Sequence, residues 1–241
     1  MFEVSTVGDR GLRIQFGETI SPDTNQQVRI FCMLLEKERI TGVVEWLPTY
    51  TAISIFYDPY VISYDILKQR VLGMKDKIYH TDLPAAEVIH IPVCYGGEMG
   101  PDLLTVAEQN GLDERDVISI HSNKDYLIYM IGFTPGFPYL GGMSDEIATP
   151  RLSEPRPAIT PGSVGIADQQ TGIYSMETPG GWQLIGRTPL KLYDPTSASP
   201  ILLQAGNYIR FFPVSMEEYK TIEQNVQNGS FTPHTETLQE K

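Results

Sequence analysis

A small α+β domain followed by a mostly-β barrel or sandwich is the fold class this sequence predicts, and three observations carry it. Helical and period-two apolar patterns alternate over residues 1–85. Most of the 21 glycines and 18 prolines fall between Pro92 and Pro213. Within that region short apolar runs recur between turn residues, the signature of many short strands. Asp82-Leu83-Pro84-Ala85-Ala86 reads as the linker, which sets the expected domains at 1–85 and 86–241.

The elements follow in order. Phe2–Val7 and Leu12–Phe16 alternate apolar and polar residues around Gly8-Asp9-Arg10-Gly11, and so read as a hairpin. Ser21-Pro22-Asp23 supplies an N-cap, a proline for the first helical position and an acid for the first turn. Thr24, Val28, Phe31 and Leu35 then share one helical face, and Gly42 marks the expected end. Val43–Leu47 and Thr51–Tyr57 form a second hairpin across Pro48-Thr49, and a second helix is expected from Ser63 to Ile78. Helices on one face of a sheet complete the first domain.

Beyond the linker, Val88–Tyr95 reads as a strand, with short helices over Pro101–Gln109 and Asp113–His121. Strands are expected at Tyr126–Phe133, Val164–Ala167, Gly172–Ser175, Trp182–Arg187, Ile201–Gln204 and Tyr208–Val214. Ser215-Met216-Glu217-Glu218 is a capping box opening a final helix. The polar residues from Asn228 onward are expected to fray.

Composition narrows the function. Hydrophobic residues at 41% allow a packed core and exclude wholesale disorder. Thirty acidic against 18 basic residues leave a net charge of −12, and no basic patch offsets it, so nucleic acid is not an expected partner. Cys32 and Cys94 are too few and too far apart for a disulfide framework and fit a reducing cytoplasm. The opening residues, with Asp9 and Arg10 close behind, lack a signal-peptide pattern. The longest uncharged run, Tyr126–Ser144, contains Pro135, Pro138 and four glycines, which would leave backbone groups unpaired in lipid. No membrane span is expected.

Three motifs invite over-reading. Gly181–Thr188 is one residue from a phosphate-binding loop, with Arg187 in the lysine position. Such a loop must open a helix, whereas Trp182, Leu184 and Gly186 alternate like a strand and Pro189 follows at once. Val106–Ile120 has helix-turn-helix spacing but sets Arg115 among Asp113, Glu114 and Asp116, so two packed helices are expected. Pro150–Pro157 reads as a rigid loop over the barrel.

Groups capable of chemistry concentrate in the glycine-rich half. His121 ends a short helix and stays open between an acid–base role and a packed or capping histidine. His80, His90 and His234 lie near the linker or in the tail, and no His/Cys/carboxylate spacing reads as a metal site. Arg151, Arg156 and Arg187 are the basic residues between Gly132 and Pro189. Set among small residues they suit bidentate binding of carboxylate or phosphate, or else surface pairing with Asp145, Glu154 or Glu177. Gly162-Ser163 and Gly180-Gly181 offer backbone N–H groups to an oxyanion. Ser163 lacks the Gly-x-Ser-x-Gly context of a nucleophile.

Long strings then add a resemblance. Ile91–Leu103, Gly132–Gly142, Gly162–Ala167 and Gln170–Tyr174 with Thr178–Thr188 closely resemble the allophanate hydrolase subunit 1 family. That resemblance implies a cyclophilin-like barrel and a component of an ATP-dependent 5-oxoprolinase working with subunits A and C. Such a complex hydrolyses 5-oxo-L-proline to L-glutamate, with ATP and Mg at the level of the complex and none held firmly by this chain alone. It implies His121, Arg151 and Arg187 as catalytic residues, and Arg156, Ser163, Gln170, Tyr174, Gly180, Gly181 and Trp182 as substrate-binding residues. Other activities in the family leave two alternatives. One is inhibition of a sensor histidine kinase, through a groove lined by Phe133, Phe137, Tyr139 and Leu140. The other is a component of a urea-type amidohydrolase or carboxyltransferase complex. The chain departs from the family pattern at Thr160-Pro161, at Asp168 where glycine is usual, and at Ser175 where proline is usual.

Overall fold

Local sequence accounts for most of the first layer. In the computed structural model, which describes residues 2–238, Glu3–Val7 (β1) and Gly11–Gln15 (β2) pair antiparallel about the Gly8 turn. Pro22–Glu38 (α1) starts at Ser21, whose side chain accepts from the Thr24 N–H. The helix ends on Arg39, left-handed at φ 42°, and not on Gly42. The Arg39 N–H already closes onto Leu35 O, so the glycine serves the following turn, where its φ is 95° and a side chain would strike Ile62. Val43–Pro48 (β3) and Ala52–Tyr57 (β4) complete a sheet of order β1-β2-β4-β3. Leu12, Ile14, Ile53 and Ile55 pack with Val28, Phe31 and Leu35 of α1 to form one core. The second helix is shorter than expected. Tyr64–Gly73 (α2) gives way at Met74 to a 3-10 turn over Lys75–His80, because Gly73 weakens the helix and the Met74 N–H bonds three residues back to Val71 O.

The chain divides between Ala85 and Ala86 into two compact units. The second begins with Glu87–Tyr95 (β5), then Leu103–Asn110 (α3), closed by left-handed Gly111, and Glu114–Ser122 (α4), opened by a capping box from Asp113 and Asp116. Asp125–Ile131 (β6), Pro138–Gly141 (β7), Arg156–Ile159 (β8), Ser163–Ala167 (β9), Gln170–Ile173 (β10), Thr178–Gly180 (β11), Gln183–Arg187 (β12) and Tyr208–Pro213 (β13) follow. Met216–Gln227 (α5) and Thr235–Thr237 (β14) end the described chain. The main sheet runs β10-β9-β12-β5-β13-β6-β7, and its end strands β7 and β10 lie against each other, so it nearly closes into a barrel. Inside it Ile91, Val93, Ile128, Val164, Ile166, Ile185, Ile209 and Phe211 pack with Leu103 and Val106 of α3 and Val117 of α4. β8 and β11 form a separate ribbon.

Three expectations need correction. Ile201–Gln204 is not a strand: Pro195, Pro200 and Gly206 break the run, and a lone bridge from Ile201 to Tyr193 remains. Strands β7, β8 and β11 escape the sequence pattern because each contains a proline (Pro138, Pro157, Pro179), tolerated at a sheet end or in a two-stranded ribbon. The tail does not simply fray after Asn228, since β14 pairs with β5 through Thr235 opposite Ile89 and Thr237 opposite Glu87. Residues 239–241 of that tail lie outside the described residues. Among the described residues no helix is long and apolar enough to cross a membrane.

Candidate active site

The organising residue is one the motif reading passed over. Asp102 precedes α3 and looks like its N-cap, yet its side chain makes no cap bond. It turns instead to β12. Its Oδ2 accepts from the Leu184 N–H at 2.6 Å, and its own N–H donates to Leu184 O at 2.9 Å. The other oxygen, Oδ1, accepts from Arg156 Nη2 at 2.8 Å. Arg156 Nη1 also donates to Trp182 O at 3.4 Å. A buried carboxylate thereby fixes the start of a helix, a barrel strand and one guanidinium, satisfying its charge with the groups it orients.

Around Arg156 gather other residues singled out from sequence. Gly180 lies opposite it across the β8–β11 ribbon. A side chain at Gly180 would collide with the Tyr174 hydroxyl, so glycine is what lets the ribbon approach that ring. Tyr174 and Trp182 pack edge-to-face on Phe137, with ring centroids 5.8 Å from it in each case, and Tyr139 joins at 5.4 Å. Burial raises the Tyr174 phenol, partly offset by a main-chain bond from Trp182 and by the nearby charges of Arg151 and Arg156. The 150s loop is tied down twice: Leu152 N–H donates to Gly181 O at 2.7 Å, and Gln183 Nε2 donates to Pro150 O at 2.9 Å. Arg151 is exposed and only loosely paired, 3.8 Å from Asp168. Asp168 stands at φ 53°, in the left-handed region that favours glycine and that Asp and Asn tolerate best among the other residues. An oriented arginine, a second exposed arginine and glycine backbone beside an aromatic wall suit a small planar ligand bearing a carboxylate or phosphate.

Ser163 and Arg187 form a different group. They face each other across β9 and β12, and Cys94 on β5 lies opposite Arg187 on the other side. Tyr219 of α5 is close enough to feel both Arg187 and Cys94. Ser163 Oγ and Arg187 Nε, on residues paired across the two strands, are both buried with no hydrogen-bond partner.

His121 belongs to neither group. It is wholly buried, stacked on Phe211 at 4.5 Å, with Nδ1 2.7 Å from Tyr95 Oη and Nε2 2.8 Å from Thr171 Oγ1. Burial lowers its pKa to about 3, which keeps the ring neutral. With no surface of its own it is a core residue that meets no incoming substrate. Gln170 opens β10 opposite Ala167, half-buried at the turn that carries Asp168. Of the residues expected to line an apolar groove, Leu140 lies in the main core, while Phe133, Phe137 and Tyr139 stay together: Phe133, 74% exposed on a left-handed backbone at φ 67°, sets its ring 6.1 Å from Phe137, which packs on Tyr139.

Fold and site together define a two-unit chain whose barrel presents an arginine- and aromatic-lined face. More particularly, the chain belongs to the carboxyltransferase domain family, subdomains C and D, whose profile covers residues 2–203. It is 42% identical over 228 residues to the B subunit of the 5-oxoprolinase of Bacillus subtilis, spanning 90% of this chain and 95% of that one. The crystal structure of TTHA0988 superposes with a TM-score of 0.76 at 34% identity, over 86% of this chain and 40% of that one. The urea amidolyase of K. lactis shares the fold at 20% identity, with a TM-score of 0.78 over 98% of this chain and 16% of that one. The resemblance read from the motifs is borne out.

Proposed function

We propose that this chain is the B subunit of an ATP-dependent 5-oxoprolinase that hydrolyses 5-oxo-L-proline to L-glutamate in the cytoplasm with subunits A and C. The observation that carries this reading is 42% identity, over nearly the whole length of both chains, to the B subunit of a known 5-oxoprolinase. The geometry agrees with it. A lactam resists hydrolysis because resonance strengthens its C–N bond and the nitrogen leaves poorly. ATP, with Mg, enters at the level of the complex and supplies activation of the lactam oxygen. On this chain Arg151 and Arg156 hold carboxylate or phosphate oxygens, with backbone N–H groups of Gly180 and Gly181 beside them. Tyr174 and Trp182 bound the flat face of the ring and exclude water. Arg187 and Ser163 offer a second pair of donors. His121 acts as a positioning residue behind β5 and β10, and the barrel is cyclophilin-like.

The test is glutamate formation from 5-oxoproline and ATP by subunits A and C with and without this chain. Activity confined to the full mixture supports the proposal. Undiminished activity without this chain contradicts it.

A further inference from the structure

A second polar cluster lies in the barrel unit, among residues the proposed reaction does not use. Across the sheet, Asp125 on β6 stands opposite Arg210 on β13, and Arg210 opposite His90 on β5. On the other side of β5 the His90 N–H donates to His234 O at 2.9 Å, which places His234, the residue before β14, beside it. The two imidazole centroids are 4.8 Å apart. Glu236, two residues along and so on the same side of its strand, brings Oε1 to 3.2 Å from His90 Nε2. One donor atom from each of His90, His234 and Glu236 falls within 4.8 Å of the others. His90 is half-buried, whereas His234 and Glu236 are exposed, so solvent reaches the cluster.

We propose that His90, His234 and Glu236 form a divalent transition-metal site, suited to Zn2+, that clips β14 onto β5. Two imidazoles and one carboxylate are a donor set of open zinc sites, with water in the fourth position. Zinc–ligand bonds of about 2.0–2.1 Å place tetrahedral donors about 3.3 Å apart. His90 and Glu236 already stand at that spacing, and the His234 donor lies within 4.8 Å of both on an exposed side chain free to turn toward them. Arg210 does not block the site. Its Nη1 donates to the same Glu236 Oε1 at 3.0 Å, and the second lone pair of that oxygen remains for the metal. Its charge is answered by Asp125, which accepts from Nε at 2.6 Å and from Nη2 at 2.7 Å. The clip has a structural purpose. β12 covers β5 only at Cys94 and Tyr95, so β14, a strand of three residues, is what pairs the amino-terminal half of that edge. A metal bound by Glu236 of β14, by His234 just before it and by His90 of β5 holds a strand too short to hold itself.

The experiment titrates the full chain with Zn2+ at pH 7.5 against a chromophoric chelator, alongside H234A and E236Q. Amide exchange of Thr235–Thr237 is followed in the same samples. The proposal expects one equivalent bound, about tenfold or greater loss of affinity in each variant, and slower exchange on adding Zn2+ to the parent chain alone. X-ray absorption of the loaded parent chain reports the ligands whether or not the variants fold, and nitrogen and oxygen scatterers alone are expected. Absence of stoichiometric binding, unchanged affinity in both variants, or a sulfur scatterer from Cys32 or Cys94 overturns it.

Discussion

Replacing Asp102 by alanine probes the arrangement of the site more severely than replacing any arginine. The substitution removes the acceptor for the Leu184 N–H, a buried group, at a cost of about 1–3 kcal/mol. It also strips Arg156 of its partner. Breaking a buried pair costs about 3–5 kcal/mol, but the Arg156 side chain is 29% exposed against 12% for Asp102 and recovers part of that by turning to water. The sum is about 3 kcal/mol or somewhat more. Arg156→Ala leaves Asp102 its bond from Leu184 and a little exposure, so about 1–2 kcal/mol is expected. At about 2–4 °C per kcal/mol for a domain of this size, Asp102→Ala lowers Tm by about 6–12 °C and Arg156→Ala by about 2–8 °C. Because the chain has two units, the melt is followed by Trp182 fluorescence in a Trp46→Phe background, which isolates the barrel. A double mutant no worse than Asp102→Ala alone completes the cycle. An Asp102→Ala variant as stable as the parent, or more stable than Arg156→Ala, would show that this carboxylate does not organise the site.

Other predictions concern the core and the glycines. His121 is held neutral in the fold, with its pKa lowered to about 3, while an unfolded histidine titrates at 6.5. The unfolded chain therefore binds the extra proton, and this group's stabilisation, complete above pH 6.5, is lost as pH falls from 6.5 toward 3 at up to about 1.4 kcal/mol per pH unit. Urea melts of the barrel from pH 7 to 4 check this, and His121→Phe flattens the slope while lowering stability at pH 7. Gly180→Ala forces a methyl against the Tyr174 hydroxyl and to 2.7 Å from Ile159 Cδ1, and is expected to cost about 1–3 kcal/mol. Gly181→Ala, whose nearest neighbour would stand at 3.5 Å, is expected to melt within about 0.5 kcal/mol of the parent. Burial raises the Cys32 thiol to about 12 and raises Cys94 as well. A thiol-reactive disulfide reagent at pH 8 is therefore expected to modify both quickly only in the unfolded chain.

Much of the fold was legible because its signals are local. Ser21, Asp113 and Ser215 open helices as their side chains dictate, and the alternation around Gly8 and through Gln183–Arg187 yields strands. What escaped depends on distant partners. Pro138, Pro157 and Pro179 mask strands that only a neighbouring strand reveals, and Thr235–Thr237 becomes ordered by pairing with a strand about 150 residues earlier. The site divides the same way. Arginines, glycines and aromatic residues announce a face by composition, and Arg156, Tyr174, Gly180 and Trp182 do meet there. Asp102 escaped notice because nothing nearby in sequence says that its carboxylate, at the start of α3, turns to Arg156, 54 residues away. His121 shows the converse. Its residue type advertises chemistry, but its position on the inner side of α4, against Phe211 and Tyr126, buries it.

If this chain completes an ATP-dependent lactam hydrolase through its arginine and aromatic face, the exposed arginine should matter to turnover and not to folding. The measurement is steady-state glutamate formation in a reconstituted mixture of the three subunits, with the parent chain compared against Arg151→Ala. Arg151 is exposed and its ion pair with Asp168 is long, at 3.8 Å, so the variant keeps its fold and its loss reads on function. A fall in kcat/KM of about tenfold or more is expected, matching the loss of one charge-assisted bond of about 1.5–3 kcal/mol, with the melting temperature unchanged. Unaltered kcat/KM in a mixture that requires this chain for activity would place the reaction away from this face.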